Sequence, residues 1–459
     1  MTVDDSLSPA GVATPHSSGI RVVVVGLGIA GLTTAIECHR KGHTVIALEK
    51  SPVIRVLGDS LGLGSNATNV LEKWADGKIL QQLKSLADDI SIFEALDSAG
   101  KLYAKDDAKG FGADNGMIIN RGSLATTLHE YAKMLEIDIR FGAAVTGHWE
   151  DESAAGVIIN GEQRLVADCV IGCDGIHSKT REAVLTKEPT AVPSGQAVFR
   201  ASFDSTSVCN DPNARWILAE KGVRDRLSQY MAEGGLALSL ATGKRGQNIT
   251  WQLWHEDNHN ANELWSEHNS AKLENALGMI RHWPIYSKVV PILRHTPKEA
   301  LTDFKLVNRA ALPTWISHAG RIIIIGDAAH PVLPIVGQGG GQGIEDAATV
   351  AICLQLAGKT HISLALQAVE RLRYARTSII QSSGPKIYAG VRNPDWKAIE
   401  KDPSLIMLPR PKWIFGYDVP RDVYEQFPLV KRAIEEGSSY TPKNIPPGGR
   451  YEFLHDFKE

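Results

Sequence analysis

Cysteine is scarce in this chain, with five in 459 residues at positions 38, 169, 173, 209 and 353. An odd number so scattered supports neither a disulfide framework nor paired zinc-ligand spacings, so a reducing, cytoplasmic setting is expected. Long apolar runs are missing too. No stretch of 18 or more such residues occurs, and a bilayer-spanning helix is not expected. Charge of one sign is not concentrated either: the formal net charge is −3 and no basic block stands out, which argues against nucleic acid or an anionic membrane as partner. There is no metal-ligand cluster, internal repeat, CaaX box or terminal Ser-Lys-Leu, and no obligate protein partner is evident. Residues 1–18, rich in Ser, Thr, Pro and Asp, lack the positive start and apolar core of a secretory signal and read as a disordered arm. The remaining length allows two domains or one large discontinuous one.

What is present begins at residue 20, with IRVVVVGLGIAGLTTAIECHRKGHTVIALEK. Arg21 to Val25 is β-branched enough for a strand buried on both faces. Gly26, Gly28 and Gly31 follow as G-x-G-x-x-G, a helix is predicted from about Ala30 to Lys41, Gly42 stops it, and a second strand from Thr44 ends at Glu49. In such a unit the first glycine makes a tight turn, the second lets backbone approach a pyrophosphate, and the third lets helix and strand pack closely. Gly26, Gly28, Ala30 and Gly31 are therefore candidate phosphate-binding positions. Glu49, 18 residues past Gly31, is placed to accept hydrogen bonds from a ribose diol.

A second glycine-rich stretch lies some 300 residues later, RIIIIGDAAHPVLPIVGQGGGQGIEDA from Arg321 to Ala347. Ile322 to Ile325 predicts another buried strand, with Asp327 at its tip. Pro331 and Pro334 hold an extended loop. Gly337, Gly339, Gly340, Gly341 and Gly343 leave the backbone open to a flat or anionic ligand, and a helix is predicted from about Ile344 to Leu356 with its positive end toward that ligand. A nicotinamide dehydrogenase usually completes its site within one contiguous domain. A second Gly-Asp strand so far downstream instead favours FAD, whose ribitol and ring need a second set of contacts.

The Gly-Asp, histidine, proline loop and G-Q-G order resembles the second flavin motif of the single-component FAD-dependent aromatic-ring monooxygenases, the group A flavoproteins that include fungal salicylate hydroxylase-like members. Two further segments carry the resemblance. Asp174, Gly175, Ser178 and Arg181 match the family's D-G-x-x-S-x-x-R in all four positions, and Arg121 with Leu124 keeps an R-x-x-L setting near the FAD diphosphate. Asp174 is expected to cap the following turn and hold Arg181 by an ion pair, supporting the cofactor without taking part in the chemistry. The loop GDSLGLGSNA from Gly58 to Ala67, containing Gly62, resembles the loop beside the flavin ring, with Asp59 and Ser60 in place of small residues.

The resemblance implies an α/β fold, a Rossmann-like FAD-binding domain with an inserted, mainly antiparallel substrate domain of para-hydroxybenzoate hydroxylase type. The expected division is an arm at 1–18, an FAD domain from 19–85, 118–183 and 296–393, a substrate domain from 86–117 and 184–295, and an extension at 394–459 wrapping the outside. A hairpin turning at Ser98–Gly100, a helix from Glu263 to Arg281 and one from Ser363 to a stop at Gly384-Pro385 are predicted, the last with arginines that pack or face solvent. Arg200 and Tyr230 sit where the resemblance implies contacts to the substrate's phenolate or carbonyl, and Trp216, Trp251 and Trp254 are candidates either for an aromatic pocket or for sheet-face packing. The implied activity uses NAD(P)H as a transient reductant, there being no second GxGxxG, and O2, to hydroxylate or epoxidise a phenol or indole through a flavin C4a-hydroperoxide. An oxidase or dehydrogenase of the same fold is the alternative. A flavin halogenase is disfavoured, because W-Q-L-W at 251–254 lacks its W-x-W-x-I-P signature.

Overall fold

The computed structural model describes residues 17–54, 60–106, 115–187, 191–218, 225–257, 272–392, 394–406 and 411–450. The valine run becomes the central strand, Arg21–Val25, of a five-stranded parallel sheet. Thr44–Glu49 and then Asp138–Phe141 lie to one side, and Cys169–Gly172 and then Ile322–Ile324 to the other. Alternate valines serve opposite faces. Val22 and Val24 pack under helix α1 (Ile29–Arg40) and its neighbours, whereas Val23 and Val25 pack with Val157 and Ile159 of a three-stranded antiparallel meander, Val145–Glu150, Ala155–Ile159 and Gln163–Ala167. With both faces covered the strands must be apolar throughout, which is why the sequence shows runs and not alternation.

Parallel strands present their C-terminal ends together, where an open α/β sheet places its ligand crevice. Gly26 N–H donates to Leu48 O at 2.8 Å, Cys173 N–H to Val25 O at 2.8 Å and Ile325 N–H to Gly172 O at 2.9 Å. Residues 26, 173 and 325, far apart in the chain, thus end on one edge.

Above that edge lies a seven-stranded sheet, in order Thr302–Asn308, Val192–Asp204, Asn248–Glu256, Ala237–Gly243, Asp225–Met231, Ile90–Asp97 and Leu102–Asp106. It is antiparallel except where Asp225–Met231 runs parallel to Ile90–Asp97. The hairpin at 98–100 is present, with Gly100 at φ +86°. Its outer face packs on helices Leu273–Ile280 and Tyr286–Leu293. Of the helix predicted over 263–281 only this first one is described, since 258–271 lie outside the described residues. Thr302–Asn308, read from sequence as part of the cofactor half, is the edge strand of this upper sheet.

Three further expectations are corrected. Helix α2 spans Gly339–Ala357, so the glycine run is its first turn and not a loop before it. Helix α3, Ile362–Arg392, continues through Pro385. Its far half packs over the upper sheet, and at Gly384 a Cβ would stand 3.1 Å from that of Leu333; this packing offsets a proline penalty of about 3 kcal/mol. Finally, the segment beyond 394 does not merely wrap the outside. Phe415 presses on Gly64, Ser65 donates to Phe415 O, and Trp413 O accepts from Arg376 at 2.6 Å.

Of the two roles expected for the arginines of α3, packing or a solvated face, Arg373 and Arg376 take the first and are fully buried. Arg376 bonds Glu345 in a two-pronged geometry, Nε to Oε2 at 2.8 Å and Nη2 to Oε1 at 2.9 Å. Arg373 bonds Asp346 Oδ1 at 2.7 Å and also reaches Glu345. Asp346 Oδ2 lies 2.6 Å from His330 Nε2 and accepts from Gly326 N–H at 3.0 Å, and Asn66 Nδ2 donates to Glu345 at 2.5 Å. Burial alone would raise both carboxyls, but Arg376 and Arg373 outweigh it at Glu345, and His330 and Arg373 at Asp346, so both are held below the ordinary range. Their contribution to stability is therefore full above the unfolded values of about 4 and is lost as pH falls toward the folded ones. Arg376→Met should cost about 3–5 kcal/mol by leaving a buried carboxylate short of a partner, and Glu345→Gln should flatten the acid limb of the stability curve; urea midpoints measured from neutral to acid pH check both.

Candidate active site

Between the two sheets lies a cavity of about 420 Å³. Its floor is built from both glycine-rich stretches. Gly28 and Ala30 open helix α1, and Gly339, Gly340 and Gly343 belong to the start of α2, while Gly326, Asp327 and Gly337 complete the wall between them. Neither helix has a side-chain cap at its N-terminus or an acidic residue in its first turn. By contrast, the helix Arg121–Met134 is capped by Asn120, whose side chain accepts from Gly122 and Ser123 N–H groups. Two uncapped positive helix ends directed at one cavity fit an anionic ligand between them.

The three fingerprint glycines divide the work. At Gly26 the backbone has φ +89° and a Cβ would lie 2.8 Å from Asp174 Cα; at Gly31 a Cβ would fall 1.8 Å from Gly26 O. Both are packing requirements. At Gly28 a Cβ would meet nothing within 4 Å. The space beyond it is the cavity, so the residue is small for the sake of what approaches. Gly62, on the strand Ser60–Leu63, lines the same wall with Arg121. Asp59 lies outside the described residues.

Glu49 stands at the end of its strand next to the fingerprint turn, where its two oxygens accept from Leu27 and Ser51 N–H groups, each at 2.9 Å. It is not among the residues lining the cavity. Asp174 also points away from it: it accepts from Ser178 Oγ at 2.6 Å and from Lys179 N, Thr180 N and Thr180 Oγ1 at 2.8–3.0 Å, the turn-capping role expected. Arg181 reaches across to the Gly-Asp segment, with Nε donating to Ala328 O at 2.8 Å. Asp327 is deep in the fold, yet its carboxyl is accessible because it faces the cavity. Burial pushes it up, against the pull of His330, Arg121, Arg309 and Arg181.

The ceiling is the inner face of the seven-stranded sheet. Strand alternation decides which side chains reach it. Arg200 does, together with Gln252, Ser239 and Gln229 on neighbouring strands. Tyr230 does not: one residue from Gln229, it faces the opposite side and is buried with Phe199, Leu238 and Leu253 under the outer helices. The expectation for Tyr230 is thus corrected by pleat parity. Of the three tryptophans, Trp254 lines the cavity, Trp251 packs on the outer face and Trp216 is at the surface beneath Lys288. Tyr388 and Arg392 of α3 close one side, Tyr388 donating to Gln196 and Arg392 pairing with Glu256. Sequence reasoning missed Gln229, Ser239, Gln252 and Tyr388. Gln252 was within reach, since 250 and 252 alternate with apolar 249, 251 and 253.

The profile of the FAD binding domain family matches residues 19–373, and over 448 residues, 97% of this chain and 96% of the relative, the chain is 39% identical to the asperlicin C monooxygenase of Petromyces alliaceus. The chain belongs to the FAD-dependent monooxygenases. Among solved structures this monooxygenase superposes on FqzB with a TM-score of 0.86 at 40% identity, covering 95% of this chain and 99% of that one. It superposes equally on CtdE, crystallised with FAD and a substrate, with a TM-score of 0.86 at 38% identity over 91% of this chain and 100% of that one. The monooxygenase therefore uses FAD, and the uncapped helix starts and the bare Gly28 fit it. The five cysteines are free; among the described residues there is no metal-ligand group, and no single helix is long and apolar enough to cross a membrane.

If Gly28 is small only for the cofactor, Gly28→Val keeps native circular dichroism while FAD affinity falls at least about tenfold, or 1.4 kcal/mol. Gly31→Ala should lose fold and flavin together, and flavin titration beside far-UV spectra separates the two.

Proposed function

We propose that this monooxygenase hydroxylates or epoxidises an electron-rich aromatic, a phenol or an indole, with NAD(P)H as reductant. The relative from Petromyces alliaceus is named for asperlicin C, and such products of fungal secondary metabolism are the class we assign to this chain. Bound FAD would supply the redox chemistry, namely two-electron reduction by the nicotinamide and transfer of one oxygen atom of O2 to the substrate, with the other leaving as water. The side chains then have three tasks.

The first is to hold the cofactor. Gly28 and Ala30 at the start of α1 would receive the diphosphate, with Gly26 and Gly31 allowing the tight turn and close helix packing that this needs; Arg121 would offset its charge, Glu49 would accept from the adenosine ribose, and Asp174 would support the turn from beneath. Gly62, Asp327, Gly339 and Gly340, which line the cavity, would hold the ribitol and ring. Gly339 and Gly340 lie on the wall at the start of α2, whose dipole favours negative charge on the reduced ring.

The second is to keep water out, because reactive oxygen is otherwise lost as H2O2. The ceiling sheet and the Tyr388 side of α3 serve this. Burial pushes the Tyr388 phenol up to about 12, so it remains a donor to Gln196 at any working pH.

Aligning the ring and stabilising charge that develops on it is the third, and it falls to Arg200. One observation carries this reading: Arg200 is nearly buried, yet it is on the cavity wall opposite the glycine floor. Removing such a donor costs about 3 kcal/mol of barrier. Arg200→Ala should therefore retain FAD and NAD(P)H oxidation while product formation falls by roughly 10²-fold and H2O2 rises. The check is ¹⁸O incorporation from ¹⁸O2. Label in the wild-type product supports the reading; turnover with no label in the product would assign an oxidase instead.

A further inference from the structure

Four polar side chains of the ceiling lie on one line. Arg200 pairs in register with Gln252, Gln252 with Ser239 and Ser239 with Gln229, so the row crosses four adjacent strands. All four line the cavity. The row on one side holds Trp254 and Ala237, and the row on the other holds Ala241 and Leu227. Across the pleat the sheet is apolar, with Phe199, Leu253 and Leu238 in the buried cluster.

A cavity wall gains nothing by carrying amides and a hydroxyl, since a polar group removed from water costs about 1–3 kcal/mol unless it is paired. Among the described residues neither Gln229 nor Ser239 has a hydrogen-bond partner for its side chain. Both are half-buried and face the cavity, so a ligand that fills it takes them out of water and must supply the partner itself. Neighbouring strands lie about 4.8 Å apart, so Gln229 and Gln252 are separated by about 10 Å and the whole row runs about 14 Å. A single phenol ring with one substituent reaches one step of that ladder. A multi-ring molecule whose carbonyl and N–H groups follow one edge reaches two or three.

Resting on the proposed oxidation of an electron-rich aromatic, we infer that Gln229, Ser239 and Gln252 form, with Arg200, a ruler that bonds the polar edge of an extended substrate and so sets which ring position is oxidised. Arg200 acts at one end, beside the reacting ring. Gln229 and Ser239 hold the other end, remote from the chemistry, and act on position and specificity.

The test compares two probes of the same indole ring, indole itself and a tryptophan-derived cyclic dipeptide that adds two ring amides, in the FAD-loaded wild type and in Gln229→Leu and Ser239→Ala. Binding is read from perturbation of the flavin spectrum, and the position of oxygen in any product by mass spectrometry. The ruler predicts that the wild type binds the cyclic dipeptide at least about tenfold more tightly than indole. It also predicts that Gln229→Leu loses most of that difference with the affinity for indole unchanged, and that Gln229→Glu, which keeps an acceptor, recovers part of it. A wild type with no preference for the dipeptide, or variants that weaken both probes alike, would overturn it. Failure of the proposed reaction shows separately, as absence of labelled product from either probe while binding still differs.

Discussion

A buried cluster of two arginines and two carboxylates fixes the position of the glycine-rich floor of the cavity. Glu345 and Asp346 sit in the second turn of α2, so Arg373 and Arg376 of α3 lock the azimuth and depth of a helix whose first turn is the glycine run. The same carboxylates accept from Asn66 and from the backbone of Gly326, which ties the ring-side loop and the Gly-Asp strand end to one anchor. Asn444, whose carbonyl also accepts from Arg376, brings in the last part of the described chain. Such an arrangement contributes little net stability over an apolar core of the same shape. Its value here is geometric, because a glycine-rich helix start has no side chains with which to hold itself in place.

From that anchor the functional division follows. The floor is backbone: uncapped N–H groups and glycines that take a charged, flat cofactor and recognise it by main-chain shape. The ceiling is side chain: a sheet whose pleat places one face in a hydrophobic core and the other over the ligand. On the proposed function, cofactor binding and substrate choice fall to different parts of the chain. The ceiling can change residue by residue without disturbing the floor.

Much of the floor was legible in the sequence, because its requirements are steric and local. A Gly-x-Gly-x-x-Gly between a valine run and a helix, and a Gly-Asp after four isoleucines, have few other uses, and the structure brings both to one cavity. The ceiling was legible only in class. Arg200 does line the cavity, whereas Tyr230, expected beside it, faces the opposite side, since register depends on bulges and pairing that a single strand does not reveal. The continuation of α3 through Gly384-Pro385 and the partners of Arg373 and Arg376 were missed for a related reason: tertiary packing overrode a local stop signal, and the carboxylates that receive the arginines lie some 30 residues away.

The central claim is that residues 26–31 and 326–343 hold one flavin between them. Titration of FAD-stripped protein with FAD, followed by quenching of flavin fluorescence, tests it most directly. The account predicts saturation at one FAD per chain. Saturation at two, one for each glycine-rich stretch, or no saturable binding at all, would contradict it.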